Sequence, residues 1–76
     1  MNVFEKVKEY VLQQLPVSED KITLEARMIE DLGADSANLM MLIMDLETEF
    51  DLTVEDDALA NIKTIGDIVN YIEAHK

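Results

Sequence analysis

One serine hydroxyl in this sequence lies at a position that suits a chemical reaction. Ser36 ends the motif DLGADS and begins an apolar run, SANLMMLIMDLETEF. A nucleophilic serine needs a base that a third group holds in place. The only histidine, His75, lies near a chain end that is expected to fray, and no Lys or Arg occurs between Met28 and Ile62. No triad can be assembled, so the chain is predicted not to be an enzyme.

The many acidic side chains could instead bind a metal ion, and the spacing required by a calcium loop tests this. Such a loop needs oxygen ligands at positions one, three and five, a glycine at six and a glutamate at twelve. A loop that starts at Asp51 has Asp56 at position six, and one that starts at Asp31 has Gly33 at position three. Both fail, so no metal site is predicted. The adjacent Asp56 and Asp57 are interpreted as a solvated turn, since acid-base catalysis by a carboxylate pair needs a cleft.

Length and composition limit the fold. The 76 residues suffice for one domain with a modest core, so a single domain over residues 1–76 is predicted. Hydrophobic residues make up 49% of the chain, with two glycines and one proline, and this favours a compact helical fold. The chain has no cysteine, which excludes disulfides and thiolate chemistry by its own side chains.

The charge is large and unevenly distributed. The formal net charge is −11, and ten acids lie between Met28 and Ile62 without any Lys or Arg. Such a surface repels nucleic acid and anionic membranes, and it speeds the encounter with proteins that carry basic patches. No apolar run reaches the roughly 18 residues of a membrane-spanning helix, and the segment MNVFEKVKEY lacks the features of a signal peptide. A cytoplasmic, monomeric protein without stable membrane insertion is predicted.

Hydrophobic spacing predicts the first half of the fold. Apolar residues spaced by three and four indicate a helix from Val3 to Leu15, which ends before Pro16. A long loop follows as far as Asp35, with Gly33 supplying backbone freedom before the next helix. The apolar residues of this loop are expected to lie across the core. They are Val17, Ile22, Leu24, Ile29 and Leu32.

The second half is predicted to contain three helices. One extends from Ser36 to about Asp51 and is capped by Ser36 or Asp35, and a short one follows at residues 57–61. The last is capped by Thr64, with Asp67 three residues on as the partner in a capping box. The predicted fold class is therefore all-α: a small four-helix bundle, three main helices plus one short helix, with a long loop after the first helix.

The helix that begins at Ser36 has two apolar faces. Successive residues lie about 100° apart around a helix, and this places two sets of residues on separate arcs. The core set is Leu39, Leu42, Ile43, Leu46 and Phe50. The outer set, called the methionine face below, is Ala37, Met40, Met41 and Met44. The methionine face is either partly buried against the loop or the short helix, or it is a deformable contact surface.

With these elements in place, the sequence resembles the acyl carrier proteins. The resemblance rests on DLGADS, on the helix with Leu42, Leu46, Glu47 and Phe50, on the acidic turn after it, and on the ending TIGDIVNYI. It implies that Ser36 accepts a phosphopantetheine arm from coenzyme A, with catalysis supplied by a phosphopantetheinyl transferase. It also implies that the arm carries acyl groups as thioesters.

The same resemblance implies two sets of contact residues. Acyl-processing enzymes with basic patches, such as synthases, reductases and acyltransferases, would dock on one set through electrostatic encounter and a short-lived apolar contact. This set is Asp35, Ala37, Met40, Met41, Met44, Glu47, Asp56 and Asp57. The bundle interior would shelter the acyl chain among Leu39, Leu42, Ile43, Leu46, Phe50, Ile62 and Ile68.

Three positions depart from the family pattern and leave the pathway open. The family commonly has leucine directly after the serine, an acid two positions after it and another acid five after it. This chain has Ala37, Asn38 and Met41 there. We expect the chain to serve fatty-acid synthesis, and the alternative is a dedicated carrier for polyketide assembly or another acyl transfer. A further alternative is an acidic helical interaction module that receives no arm.

Overall fold

A computed structural model describes residues 2–76, which form four α-helices and one short 3-10 helix. The α-helices are α1 (Val3–Gln14), α2 (Ser36–Phe50), α3 (Asp56–Asn61) and α4 (Ile65–His75), and the 3-10 helix is Glu19–Lys21. No strand forms within residues 2–76, where the one β-type contact is a single antiparallel bridge between Arg27 and Thr64. The predicted all-α bundle, with three main helices, one short helix and a long first loop, is confirmed.

One core lies between the three longer helices. α1 packs against both α2 and α4, and each helix contributes its apolar side to the shared interior. The most deeply buried side chains of these helices are Val7, Val11, Leu42, Leu46, Ile65, Ile68 and Ile72. Their spacing of three and four residues is the one that predicted the inward faces, because such residues share one side of a helix. Hydrophobic burial along these faces therefore fixes how the helices associate.

The first turn of α2 is capped by Asp35, so the proposal that Ser36 could serve as the cap is wrong. The backbone of Asp35 is extended, and its Oδ1 accepts a hydrogen bond of 2.8 Å from the amide of Asn38. The Asn38 side chain in turn accepts from the Asp35 amide at 3.4 Å. Asp35 rather than Ser36 forms the cap because its carboxylate, on the last extended residue, reaches the exposed amides of the first turn. Ser36 already has helical geometry.

Backbone hydrogen bonds fix the loop between α1 and α2 to the start of α4. The amide of Met28 donates to the Lys63 carbonyl at 2.9 Å. The amides of Ile65 and Gly66 donate to the carbonyls of Ala26 and Leu24 at 3.0 and 2.8 Å. We call these three the loop-to-α4 hydrogen bonds. They satisfy backbone groups in a segment that has no regular secondary structure of its own.

This bonding decides which loop side chains reach the core, and it corrects part of the prediction. Ile22 and Leu32 are buried and Val17 is half-buried, as expected. Leu24 and Ile29, which were expected to lie across the core, are 47% and 56% exposed. Their places are taken by Ala26, Met28 and Ala34, which are buried. The sequence pattern could not show this, since an irregular backbone has no fixed periodicity.

Gly66 is required by a close approach of two backbone segments. A Cβ atom added at Gly66 would lie 2.9 Å from the carbonyl oxygen of Leu24, which is too close for an ordinary contact. The same carbonyl accepts one of the loop-to-α4 hydrogen bonds. A glycine here therefore lets α4 begin directly against the loop.

The first turn of α4 is capped by Thr64 and Asp67, as predicted. The Thr64 hydroxyl oxygen accepts from the Asp67 amide at 3.1 Å. The Asp67 carboxylate accepts from the amides of Lys63 and Thr64 at 3.0 and 3.1 Å. The Lys63 amide is the main cause that lowers the pKa of Asp67, partial burial opposes it, and the hydrogen bonds from Thr64 lower it further. The ionised carboxylate is thus the form that the fold prefers.

The lowered pKa of Asp67 predicts a pH-dependent contribution to stability. Because the folded pKa is below the ordinary value of 3.8, the contribution is fully present above that value and is lost as the pH falls through the folded pKa. We expect Asp67→Asn to be less stable than the wild type at neutral pH and to approach it at about pH 2. Urea unfolding at a series of pH values measures the difference.

The exposed Asp20 of the 3-10 helix provides the control. Asp20→Asn removes a carboxylate from a strongly acidic surface, so it is expected to be at least as stable as the wild type at neutral pH. A difference between Asp67→Asn and the wild type that stays constant with pH would show that the charge of Asp67 is not what stabilises the cap.

Candidate functional site

Ser36 is the first residue of α2 and is exposed to solvent. The turn before it is fixed on both sides of Gly33, because Leu32 and Ala34 are buried in the core. The Ala34 amide also donates to the Met28 carbonyl at 3.0 Å. Gly33 itself has a φ of +75°, a left-handed conformation that a residue with a side chain rarely adopts. These contacts give the hydroxyl a defined position and a free approach.

Arg27 pairs with two of the acids near this turn and offsets one of their two negative charges. Its Nε lies 3.2 Å from Asp31 Oδ2, and its Nη1 lies 2.7 Å from Glu30 Oε2. The Arg27 amide also donates to Asp31 at 2.9 Å. The hydrogen bond from the Arg27 side chain is the first cause that lowers the pKa of Asp31. Repulsion between Asp31 and an anion at Ser36 is therefore partly compensated by the guanidinium.

The start of α2 suits a phosphodiester on the serine oxygen. The first amides of a helix have no acceptor within the helix, and Asp35 takes up the one that belongs to Asn38. No acidic residue lies in the first turn of α2, and the positive end of the helix dipole is at Ser36. The Asp35 carboxylate is the remaining adverse charge beside the site. The exposed hydroxyl, the amides of the first turn and the paired Asp31 fit the attachment of phosphopantetheine.

The methionine face is open to solvent. Met40, Met41 and Met44 are 44%, 57% and 57% exposed, and Ala37 is exposed as well. The alternative in which the loop or α3 covers these side chains is therefore not supported. The methionine face thus forms a strip of apolar surface along α2 that begins next to Ser36. It lies on the side of the helix away from the core residues Leu42, Ile43 and Leu46.

The acids predicted to contact partners have different environments. Asp56 and Asp57 are exposed in the first turn of α3, and Asp35 is exposed as the cap of α2. Glu47 is half-buried, and its Oε2 accepts from the Val54 amide at 2.7 Å. Glu47 thus has a structural role that sequence reasoning missed, since it fixes the segment between α2 and α3 to α2.

A cavity of about 500 Å³ lies between the loop, the first turns of α2 and the α3–α4 segment. Of the residues predicted to line an acyl chain, Leu39 and Ile62 line this cavity. Leu42, Ile43, Leu46 and Ile68 lie in the closed core, and Phe50 is half-buried against it. The cavity wall also includes residues that were not predicted: Met28, Ile29, Leu59 and Ala60. Of these residues, Leu59 could have been found from the sequence, because it is the large apolar side chain of the short predicted helix.

His75 and the two tyrosines of the chain have structural partners. Tyr71 donates its hydroxyl to the Thr53 carbonyl at 3.0 Å, and the ring of His75 stacks on Tyr71 at 4.0 Å. Tyr10 donates to Glu49 at 2.6 Å, and this hydrogen bond is the main cause that raises the pKa of Tyr10. Within residues 2–76, no group of three or more His, Cys, Asp or Glu side chains is placed to hold a metal ion.

Among the helices of residues 2–76, none combines the length and the apolar composition needed to span a bilayer.

Comparison with known proteins agrees with the site. Residues 5–72 match the family described as the phosphopantetheine attachment site. An acyl carrier protein of Thermotoga maritima is 51% identical over 71 residues, which are 93% of this chain and 88% of that one. The chain belongs to the acyl carrier protein family. An acyl carrier protein of Clostridium acetobutylicum is 47% identical over 73 residues, which are 96% and 95% of the two chains.

A solved acyl carrier protein structure has the same fold. The protein from Enterococcus faecalis superposes with a TM-score of 0.85 at 29% identity, and the match covers 100% of both chains. Membership of the acyl carrier protein family makes phosphopantetheine the cofactor of this chain and carriage its role. Ser36 lies within the matched residues.

The two environments of methionine predict that the same substitution, made at Met28 and at Met44, changes the free energy of unfolding by different amounts. Met28 is 1% exposed and Met44 is 57% exposed. Met28→Glu buries an unpaired charge and is expected to cost about 3 kcal/mol or more. Met44→Glu leaves its charge in water and is expected to cost less than about 0.5 kcal/mol. Both variants add one negative charge, so each serves as the control for the other in urea unfolding. Equal losses would mean that Met44 belongs to the core.

Proposed function

We propose that this chain holds acyl groups as thioesters on a phosphopantetheine arm attached to Ser36, and that it presents them to the enzymes of fatty-acid synthesis. The observation that carries the proposal is the exposed hydroxyl at the first residue of α2, within the stretch that matches the phosphopantetheine attachment family. When bound, the arm supplies a thiol, which the chain itself lacks because it has no cysteine.

The chain's own residues present the acceptor, and the transferase supplies the catalysis. The oxygen of Ser36 would form a bond to the phosphorus on the pantetheine side of the coenzyme A pyrophosphate, and the P–O bond to adenosine 3′,5′-bisphosphate would break. The nucleotide would leave, and the serine proton would pass to a base of the transferase. The sequence has no Lys, Arg or His between Met28 and Ile62 that could serve as that base. Asp35 and Asn38 hold the first turn through reciprocal hydrogen bonds, so the hydroxyl needs little reorganisation before reaction.

Docking of partners combines two features of the surface around Ser36. Acids on α2 and α3, among them Asp56 and Asp57, attract basic patches and raise the rate of encounter. The methionine face then gives an apolar contact beside the arm, and its flexible side chains adapt to partners of different shape. Because the contact is small, each partner leaves quickly, as a carrier that serves several enzymes requires.

A dedicated pathway is the second candidate, and the first turn of α2 is the observation that favours it. Asn38 occupies a position where the family commonly has an acid, and here its amide completes the capping box with Asp35. Met41 replaces another acid with an exposed apolar side chain. Two negative charges that a basic partner would contact are thus absent. Identification of the thioesters on protein isolated from its own cells separates fatty-acid synthesis from polyketide assembly or another acyl transfer.

The cavity beside Leu39 supports a shelter for the acyl chain. It lies next to the first turns of α2, and its wall includes Leu59 and Ile62 from the α3 region. No side chain of α3 itself is buried, and the cap of α3 makes no side-chain hydrogen bond. We therefore expect this helix to move more easily than the other three. We propose that an acyl chain first enters here and reaches the predicted core residues as α3 shifts.

The chain is proposed to act as one monomeric domain over residues 1–76. One hydrophobic core includes residues from the three longer helices and from the loop, and this supports a single folding unit. The cytoplasmic location stays a prediction from the sequence.

Mass spectrometry of the intact protein tests attachment at Ser36. After co-expression with a transferase of broad specificity, the wild type is expected to gain the mass of one phosphopantetheine. Ser36→Ala is expected to show no gain, because the acceptor oxygen is absent.

The chain offers a matched control in Ser18, its only other serine, which is also exposed. Ser18→Ala is expected to be loaded like the wild type. No gain on the wild type with any transferase and none in the native host would support the unmodified interaction module instead. A gain that persists in Ser36→Ala would place the arm elsewhere.

NMR spectra of acyl forms test the shelter. As the acyl chain is lengthened, methyl signals of Leu39, Leu59 and Ile62 are expected to move progressively, because these side chains line the cavity. Leu12 is exposed on α1, outside the cavity wall, and its methyl signals should stay unchanged. Spectra of all acyl forms that match those of the unacylated protein would rule out a sheltered chain.

A further inference from the structure

The four methionines within residues 2–76 fall into two environments. Met40, Met41 and Met44 are exposed together on one side of α2, whereas Met28 is 1% exposed beneath the loop. The three exposed residues lie within five positions of one helix, so their thioether groups form one continuous patch. The proposed function uses this patch as an apolar contact but makes no use of sulfur chemistry.

We propose that Met40, Met41 and Met44 form a site of reversible oxidation by hydroperoxides, and that their oxidation weakens the docking of the enzymes that use Ser36. The effect on docking rests on the proposed function. The oxidation itself rests on the exposure of these three methionine residues.

The chemistry is a two-electron transfer of oxygen. A lone pair of the thioether sulfur attacks the outer oxygen of the hydroperoxide, an S–O bond forms, and the O–O bond breaks. The transferred oxygen loses its proton and the leaving oxygen takes one up, so that water departs from hydrogen peroxide, or an alcohol from an organic hydroperoxide. Sulfur is oxidised to the sulfoxide and the peroxide is reduced. Sulfoxide reductases reduce the methionine sulfoxide back to methionine, so the oxidation of this site is reversible.

Exposure favours this chemistry on α2, and the negative charge limits the oxidant to a neutral one. A peroxide must reach the sulfur, and more than two fifths of the surface of each of the three side chains is open. The surrounding surface is acidic, with a net charge of −11 on the whole chain, and it repels anionic oxidants. Hydrogen peroxide and alkyl hydroperoxides are neutral at physiological pH and are not repelled. Met28 is protected because only 1% of its surface is exposed, although it contributes to the cavity wall.

Oxidation should alter docking much more than folding. In the free protein the sulfoxide oxygens would remain in water, and the core residues Leu42, Ile43 and Leu46 on the other side of α2 would be untouched. On docking, the same oxygens would have to leave water and enter an apolar contact without a partner, which is unfavourable. Oxidation therefore makes the methionine face polar at the place where partners dock beside the arm.

Peptide mapping after graded hydrogen peroxide tests the site itself. Met40, Met41 and Met44 are expected to be oxidised at least about tenfold faster than Met28, because oxidation follows access to the sulfur. The melting temperature should stay within about 4 °C of the untreated protein, the change that corresponds to roughly 1 kcal/mol. Oxidation of Met28 at the same rate, or unfolding in step with oxidation, would overturn the proposal.

Transferase kinetics test the consequence for docking. After peroxide is removed, the apo protein is loaded by a phosphopantetheinyl transferase, and kcat/KM is compared with that of the same protein left untreated. We expect a fall of about tenfold in kcat/KM, largely through KM, and recovery after treatment with both sulfoxide reductases. The triple variant Met40→Leu, Met41→Leu, Met44→Leu has no sulfur on this face, so its ratio of treated to untreated kcat/KM should stay close to one.

The outcomes separate this proposal from the proposed function. If the untreated wild type is not loaded at Ser36, both the proposed function and the effect of oxidation on docking are overturned. The peptide map would still show whether Met40, Met41 and Met44 are the oxidised residues. Normal loading of the untreated protein with equal kcat/KM after oxidation would overturn the effect on docking alone. An equal fall in the leucine variant would show that the face is not the site responsible.

Discussion

The loop-to-α4 hydrogen bonds are the constraint on which the functional surface depends. They fix a segment of irregular backbone to the start of α4, and they place Met28 in the core. Met28 then accepts through its carbonyl from Ala34, and this sets the turn that leads into α2. Without these bonds, the buried Leu32 and Ala34 would lack a fixed frame. The exposed position of Ser36 is therefore a consequence of backbone pairing far from it in sequence.

Charge pairing near the turn lessens the repulsion that an anion on Ser36 would meet. Arg27 contacts both Glu30 and Asp31, and so offsets part of the negative charge that precedes the serine in the chain. The acids that remain unpaired by this cation include Asp56 and Asp57 on α3, which are exposed. Part of the charge before the attachment point is therefore compensated, whereas the charge on α3 stays open to other proteins.

The methionine face makes the same helix serve two purposes. One side of α2 supplies Leu42 and Leu46 to the core, and the other offers flexible apolar side chains to solvent. Rigid burial on one side keeps the helix in place, so the opposite side can adapt to partners without a cost in folding stability. The same exposure that permits adaptable contact makes the sulfur atoms accessible to small neutral oxidants.

The sequence by itself determined the helices, the capping of α4 by Thr64, the position of Ser36 at a helix start and the family. These follow from local signals, namely apolar spacing, capping residues and a short motif, which act over a few neighbouring residues. Only the tertiary structure decided that Asp35 rather than Ser36 caps α2, that Leu24 and Ile29 remain exposed, and that the cavity wall draws on the loop and α3. Each of these depends on geometry or on contacts between segments distant in sequence, and such contacts leave no periodic pattern in the chain.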